Sequence, residues 1–163
     1  MKKKVLIVDN TACSGCMSCA INCSQFHEGS VCIDSSRLRI ELEPFTGVHR
    51  IIYCRQCEDA ECAANCPTGA INFDEENNCY IVDYEVCIGC QTCVDSCPYG
   101  AMFYDPNNEN VIKCDLCGGE PNCVASCFTK ALWYGVEGED LPDKLSSRYF
   151  HAESLKNKEE NDG

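Results

Sequence analysis

Eighteen of the 163 residues are cysteine, and sixteen of them fall into four blocks of close, repeated spacing. The first is Cys13-x2-Cys16-x2-Cys19-x3-Cys23, and the second is Cys54-x2-Cys57-x4-Cys62-x3-Cys66, followed by Pro67. The third is Cys87-x2-Cys90-x2-Cys93-x3-Cys97, followed by Pro98, and the fourth is Cys114-x2-Cys117-x5-Cys123-x3-Cys127, followed by Phe128. Disulfides, structural zinc and iron–sulfur clusters all use cysteine at such density. Three thiolates two residues apart on one compact loop can reach three irons of a cube while backbone N–H groups point at its sulfides. A fourth thiolate must then approach from elsewhere. The spacing C-x2-C-x2-C-x3-C-P is that of bacterial [4Fe–4S] sites, whose fourth cysteine serves the other cluster of a pair. Blocks one and three match its cysteine spacing in full; blocks two and three also carry the proline. A proline there has a fixed φ and disfavours helix at the preceding cysteine, so the chain turns away after delivering its thiolate.

The rival chemistries explain less. Zinc takes four ligands around one point, commonly from two C-x2-C knuckles, and could use those pairs in blocks two and four. It leaves the C-x3-C-P ends and the repeated sequence after them without a reason. Disulfides belong to oxidising compartments. The opening Met-Lys-Lys-Lys precedes an apolar run of only four residues, 5–8, which ends at Asp9, too short for a secretory core. There is no twin arginine near the start, and no run approaches the roughly 18 apolar residues of a membrane helix. The expected location is therefore cytoplasmic, where clustered cysteines bind metal.

The elements that must hold these blocks repeat with them. Cys66-Pro-Thr-Gly-Ala-Ile-Asn-Phe is echoed by Cys97-Pro-Tyr-Gly-Ala-Met-Phe-Tyr and by Cys127-Phe-Thr-Lys-Ala-Leu-Trp-Tyr. A β-prone run precedes each block, at 5–8, 51–53, 80–82 and 111–112. The unit is strand, cysteine loop, short helical turn, and a strand beginning near an Ala-apolar pair. Residues 70–83 read as a hairpin around an Asn-rich turn, which brings Cys66 and Cys87 to one end of a small sheet. Residues 37–43 alternate polar and apolar, a half-exposed strand, before a turn at Pro44 and Gly47. No proline follows Cys23, and residues 18–25 are expected to run on as helix. Beyond Gly138 the chain is charged with few apolar residues, and 156–163 reads as disordered in isolation.

Formal net charge is −13 with thiols neutral. Four oxidised clusters with their thiolates would take it to about −21. Such a balance argues against nucleic-acid binding and suits a basic docking patch on a partner protein, or simply solubility. Cys32 and Cys79 read as unliganded structural cysteines. His27, His49 and His151 lack paired metal-ligand spacing and read as surface or satisfied residues, although one beside a cluster could tune it by hydrogen bonding. Trp133 and Tyr134 suit either core packing or a cover over a cluster. No Walker loop, dinucleotide fingerprint or nucleophile elbow occurs, so a non-catalytic protein is expected.

From about residue 4 to 135 the sequence resembles the four-cluster, tandem bacterial-ferredoxin subunits of anaerobic oxidoreductases. The resemblance rests on Cys87-Ile-Gly-Cys-Gln-Thr-Cys-Val-Asp-Ser-Cys-Pro-Tyr-Gly-Ala and Lys113-Cys-Asp-Leu-Cys together with the block spacing. It implies an α+β fold of two ferredoxin-like units, the inner one (51–107) inserted in the outer one (1–50 and 108–138), with 139–163 a charged tail. It implies four [4Fe–4S] clusters. Cys54, Cys57, Cys62 and Cys97 would hold one; Cys87, Cys90, Cys93 and Cys66 its neighbour; Cys13, Cys16, Cys19 and Cys127 a third; and Cys114, Cys117, Cys123 and Cys23 the fourth. Phe128 and the helix at Cys23 depart from the pattern, both in the outer unit. The implied function is relay of single electrons between a large catalytic oxidoreductase subunit and an acceptor, a further redox subunit or a ferredoxin. The family serves molybdenum and tungsten enzymes, carbon monoxide dehydrogenases and hydrogenases, and a tungsten or molybdenum aldehyde oxidoreductase is the partner favoured here. A free polyferredoxin shuttle and, more remotely, a zinc-bound interaction module stay open.

Overall fold

A computed structural model describes residues 3–106 and 108–136. The expectations for the charged tail and for His151 lie outside the described residues. Among the described residues there is no large sheet; they form four separate two-stranded antiparallel ribbons joined by cysteine loops and short helices, an α+β arrangement.

β1 (Lys4–Val8) pairs with β8 (Leu132–Val136), in register Leu6 with Tyr134 and Val8 with Leu132. The two ends of the described chain therefore lie side by side. Leu6, Ile7, Val8 and Leu132 are buried there. β4 (Ile71–Asp74) and β5 (Cys79–Val82) form the expected hairpin. Its turn is closed by Asp74, whose side chain accepts from the Glu76 and Asn77 N–H groups, and by Asn78 at φ 52, a left-handed position that asparagine tolerates.

Strands stand before every block. The expected half-exposed strand is β2 (Arg39–Glu41), and it pairs with β3 (Arg50–Ile52) ahead of block two. β6 (Phe103–Asp105) pairs with β7 (Asn110–Ile112) ahead of block four. These last two pairings link sequence neighbours through turns that carry no Asn-Gly or Asp-Gly signal. The helices are α1 (Ser18–Glu28), α2 (Glu61–Ala64), α3 (Thr92–Ser96) and α4 (Asn122–Ala125). α1 packs on α4, and α2 on α3. α1 is long because no proline follows Cys23, and it stops at Gly29 in the left-handed conformation, whose N–H returns to Gln25 O.

Much of the core is sulfur. Cys19, Cys23, Cys54, Cys114, Cys123 and Cys127 pack with Leu6, Leu38, Ile51, Leu116 and Leu132 in one buried cluster. A smaller cluster gathers Ile71, Met102 and Val111 around Cys93. Small domains with so little aliphatic core normally lean on metal or disulfides for stability, and all eighteen cysteines here are free thiols.

Candidate cluster-binding site

Each block wraps its first two cysteines around one left-handed residue. Gly15, Gln56, Gly89 and Leu116 occupy the second position between the paired cysteines, with φ of 69°, 49°, 64° and 58°. That turn points the N–H of the left-handed residue back at the first sulfur. Gly15 N donates to Cys13 Sγ at 3.4 Å, and Gln56 N to Cys54 Sγ at 3.4 Å. Glycine adopts this conformation without strain, whereas Gln56 and Leu116 adopt it at a cost of about 1–3 kcal/mol that the surroundings must offset.

The last cysteines of blocks two, three and four share one exit. Ala70 N donates to Cys66 Sγ at 3.3 Å, Ala101 N to Cys97 Sγ at 3.4 Å, and Ala131 N to Cys127 Sγ at 3.2 Å. The alanine repeated four residues after each cysteine is thus the point where the chain folds back over the sulfur. Ala70, Ala101 and Ala131 are all about 1% exposed, so a larger side chain has no room. Phe128 takes the place of Pro67 and Pro98 without altering this geometry; it is 68% exposed and the Ala131 bond is kept. Cys23 is the real departure. It lies within α1, and its sulfur receives its hydrogen bond from a distant residue, Arg37 N, at 3.3 Å.

Three pockets each bring four of these cysteines together. Cys54, Cys57, Cys62 and Cys97 line one of ≈ 370 Å³. Cys66, Cys87, Cys90 and Cys93 line a second of ≈ 290 Å³. Cys13, Cys16, Cys19 and Cys127 line a third of ≈ 300 Å³. Cys23, Cys114, Cys117 and Cys123 are neighbours through charge. A thiolate at Cys123 is opposed by Cys23 and Cys117, one at Cys114 by Cys123, and one at Cys23 by Cys117.

The thiols are poor anions by themselves. Burial first, then neighbouring cysteines, pushes Cys123 and Cys114 far up and Cys19 to about 12. Cys93 is raised to about 11, again chiefly by burial. Groups of mutually repelling, buried sulfurs need a polycation to ionise, and metal binding drives their deprotonation. Backbone N–H groups already aimed at the sulfurs suit thiolates of iron–sulfur type, since such bonds belong to the cluster environment. The residues fit [4Fe–4S] clusters.

The residues outside the blocks divide. Cys79 is fully buried and donates to Asp115 O at 3.3 Å. Cys32 stands before a short 3-10 turn at Ile33–Ser35, and Ser35 hydrogen bonding lowers its thiol. His27 is nearly enclosed, with Nε2 at 3.6 Å from Cys117 Sγ and 3.5 Å from Asp115 Oδ1. His49 accepts from Glu43 N at 3.1 Å and packs against Gly15. Tyr134 packs against the main core, while Lys4 lies 5.9 Å over its ring.

Sequence reasoning missed Gln56, Lys113 and the Arg37 backbone as partners of the sulfurs. A signal existed for Gln56: it stands where blocks one and three have glycine. Lys113 ends the run Val111-Ile112-Lys113, in which all three residues are buried. Among the described residues, no helix is long and apolar enough to cross a membrane.

A 4Fe-4S dicluster domain model matches residues 49–137, more than half of the chain. The chain belongs to this ferredoxin-like family, whose cofactor class is the [4Fe–4S] cluster. Among similar proteins are the electron transport protein HydN of Escherichia coli, 39% identical over 61% of this chain and 58% of its own length, and the polyferredoxin-like subunit of the aliphatic sulfonate oxidoreductase of Pyrococcus furiosus, 39% identical over 57% of this chain and 53% of its own length. A tetrathionate reductase subunit of Archaeoglobus fulgidus is 35% identical over 68% of this chain and 53% of its own length. The chain spans about half the length of the curated relatives it matches. A chain in a solved structure of the active-site complex BamBC of benzoyl coenzyme A reductase is similar over 95% of this chain and 90% of that one, with 27% identity and a TM-score of 0.51.

Proposed function

We propose that this protein is an electron-transfer subunit with four [4Fe–4S] clusters, held in the four cysteine sets named above. Bound there, the clusters supply reversible one-electron reduction. The observation that carries the reading is the adjacency of the sets. Cys19 of the Cys13 set opposes ionisation of Cys123 in the Cys114 set. Cys54 opposes that of Cys114, and Cys62 that of Cys93 in the Cys66 set. The sets therefore follow one another in the order Cys13, Cys114, Cys54, Cys66. Cys16 at one end and Cys90 at the other are the exposed cysteines of the series, which suits a relay that trades electrons at both ends and keeps water from its middle. The β1–β8 ribbon closing around the rest of the described chain supports the inserted arrangement of an inner and an outer unit.

The partner is a large catalytic oxidoreductase subunit. Likeness to a chain of an active-site complex, across nearly the whole of both chains, favours a stable subunit over a free shuttle. A tungsten or molybdenum aldehyde oxidoreductase is the narrower form of this reading. Iron and acid-labile sulfide on anaerobically purified protein test it, with co-purifying subunits and their metals measured beside them. About sixteen of each per chain is expected, with a larger subunit retained. About twelve or fewer in freshly prepared protein would remove one set; zinc without sulfide would end the reading.

A further inference from the structure

Lys113 is 3% exposed and stands between two cysteine sets. Its Nζ lies within hydrogen-bond distance of Tyr80 O at 2.9 Å, Gln56 Oε1 at 3.2 Å, Cys114 O at 3.2 Å and Cys54 Sγ at 3.3 Å, so its three N–H groups are shared among four acceptors. None of these partners is a carboxylate. Three neutral oxygens solvate the ammonium, and the Cys54 sulfur, a thiolate once a cluster is bound, would be its anionic partner. A charge buried this way is retained only where hydrogen bonds and a counter-charge offset its desolvation. Its field also favours the thiolates of Cys57 and Cys62 in the same set and that of Cys114 in the neighbouring one; the sulfur it touches directly is that of Cys54.

The other cations near sulfur are differently placed. Beside the Cys114 set, Arg37 is paired with Asp115 Oδ2 at 2.7 Å, so that charge is largely cancelled locally. Arg55, next to Cys54, is exposed and lies over the rings of Tyr53 and Tyr99, where solvent screens it. Among the described residues Lys113 is the one lysine or arginine side chain hydrogen-bonded to a cysteine sulfur.

Gln56 explains how the ammonium is held. Its Oε1 accepts from Lys113 and from Tyr80 N at 3.1 Å, and its Nε2 donates to Cys114 O at 2.8 Å. The residue is 2% exposed and left-handed, where glycine would be unstrained. The strain is retained where the side chain ties block two to block four.

We infer that Lys113 is a positioning residue for electrons: it makes the Cys54 set the highest-potential station of the four, with Gln56 holding its ammonium against Cys54 Sγ. The inference rests on the proposed four-cluster relay. Reduction adds one negative charge to the set, and a fixed cation in a poorly screened interior favours that more negative state. The reducing equivalent comes from whichever redox partner acts as donor, the catalytic subunit or a further redox subunit, and Lys113 gives up no atom. Electrons entering from either end then pool in the middle of the series.

The test is a potentiometric titration of the anaerobically purified full chain, followed by electron paramagnetic resonance, with iron and sulfide counted on each sample. Cys57→Ser assigns the signal of the Cys54 set by altering it. In the unsubstituted protein that signal is expected to be reduced first as the potential falls. Lys113→Met should move it at least tenfold toward the oxidised form at fixed potential, about 59 mV for one electron. Lys113→Arg should restore most of the shift, and the other three signals should move less. A Cys54-set signal that is not the highest in the unsubstituted protein overturns the inference, even if Lys113→Met fails to load its clusters. So does a fully loaded Lys113→Met protein with unmoved potentials, which leaves the relay itself intact. Iron for fewer than four cubanes in the unsubstituted protein would instead overturn the relay on which the inference rests.

Discussion

Besides the longer gap before their third cysteine, blocks two and four differ from blocks one and three in the residue at the left-handed turn, and the difference separates the ends of the proposed series from its middle. Blocks one and three place Gly15 and Gly89 at the left-handed turn, and their sets include the exposed Cys16 and Cys90. Blocks two and four place Gln56 and Leu116 there, both buried, beside the buried Cys54, Cys114 and Cys123. The same loop is thus built in two ways. At the ends glycine makes the turn cheap and leaves sulfur near the surface. In the middle the turn is strained and its side chain is buried: Gln56 ties block two to block four, and Leu116 sits in the main core. A repeated motif need not be a repeated environment, and potential and stability follow the environment.

Withdrawing the metal should erase the comparison altogether. With iron and sulfide stripped anaerobically, the cysteines in both kinds of block reprotonate and lose the bonds that tie the loops together, and the chain should lose its cooperative thermal transition. A native-like melt of iron-free protein would show that the aliphatic core suffices. Next in size is a contrast between ligands. Cys123→Ser, in the buried middle, should take iron from about sixteen to about twelve per chain. Cys90→Ser, at an exposed end where water can approach, should retain more. Equal losses would mean that burial does not distinguish the sets.

Packing at the strained turn comes third. Leu116 is fully buried, so Leu116→Ala should destabilise the loaded protein by about 2–5 kcal/mol, read as a lower unfolding temperature. Gly89→Ala probes the opposite design. A Cβ there would meet Glu109 O at 2.3 Å and would sit at φ +64. The backbone must shift, and a loss of about 1–3 kcal/mol is expected. Gly15→Ala should cost less, because its Cβ would meet only the movable ends of His49 and Leu42. The smallest effect belongs to Phe128→Pro. The exit at Cys127 already has the geometry seen after Cys66 and Cys97. The change should be neutral or raise stability by less than about 1 kcal/mol through the unfolded chain. A large loss would show that Phe128 N–H or its ring has a role at this exit.

The block spacing was legible because cubane coordination demands short, regular loops, and cysteine in such loops has few other uses. The strands before each block and the hairpin at 70–83 were legible from apolar runs and an Asn-rich turn. The continuation of α1 past Cys23 was legible from the missing proline. The alanine repeat was visible in the sequence, but its purpose was not. Only the folded chain shows Ala70, Ala101 and Ala131 donating to the sulfur four residues before them. Likewise Phe128 looked like a defect and is simply an exposed residue on an unchanged loop.

By itself, then, the sequence determined the class of cofactor, the loops that offer thiolates and the short strands between them, because spacing and local propensity act over a few residues. The tertiary structure decided what depends on residues far apart in the chain. It paired β1 with β8, set Arg37 N on Cys23 Sγ, and buried Lys113 against Cys54 across 59 positions. Those contacts are non-local, and burial sets their strength: the same ammonium on the surface would be screened by water, and between two sets of sulfur it is not.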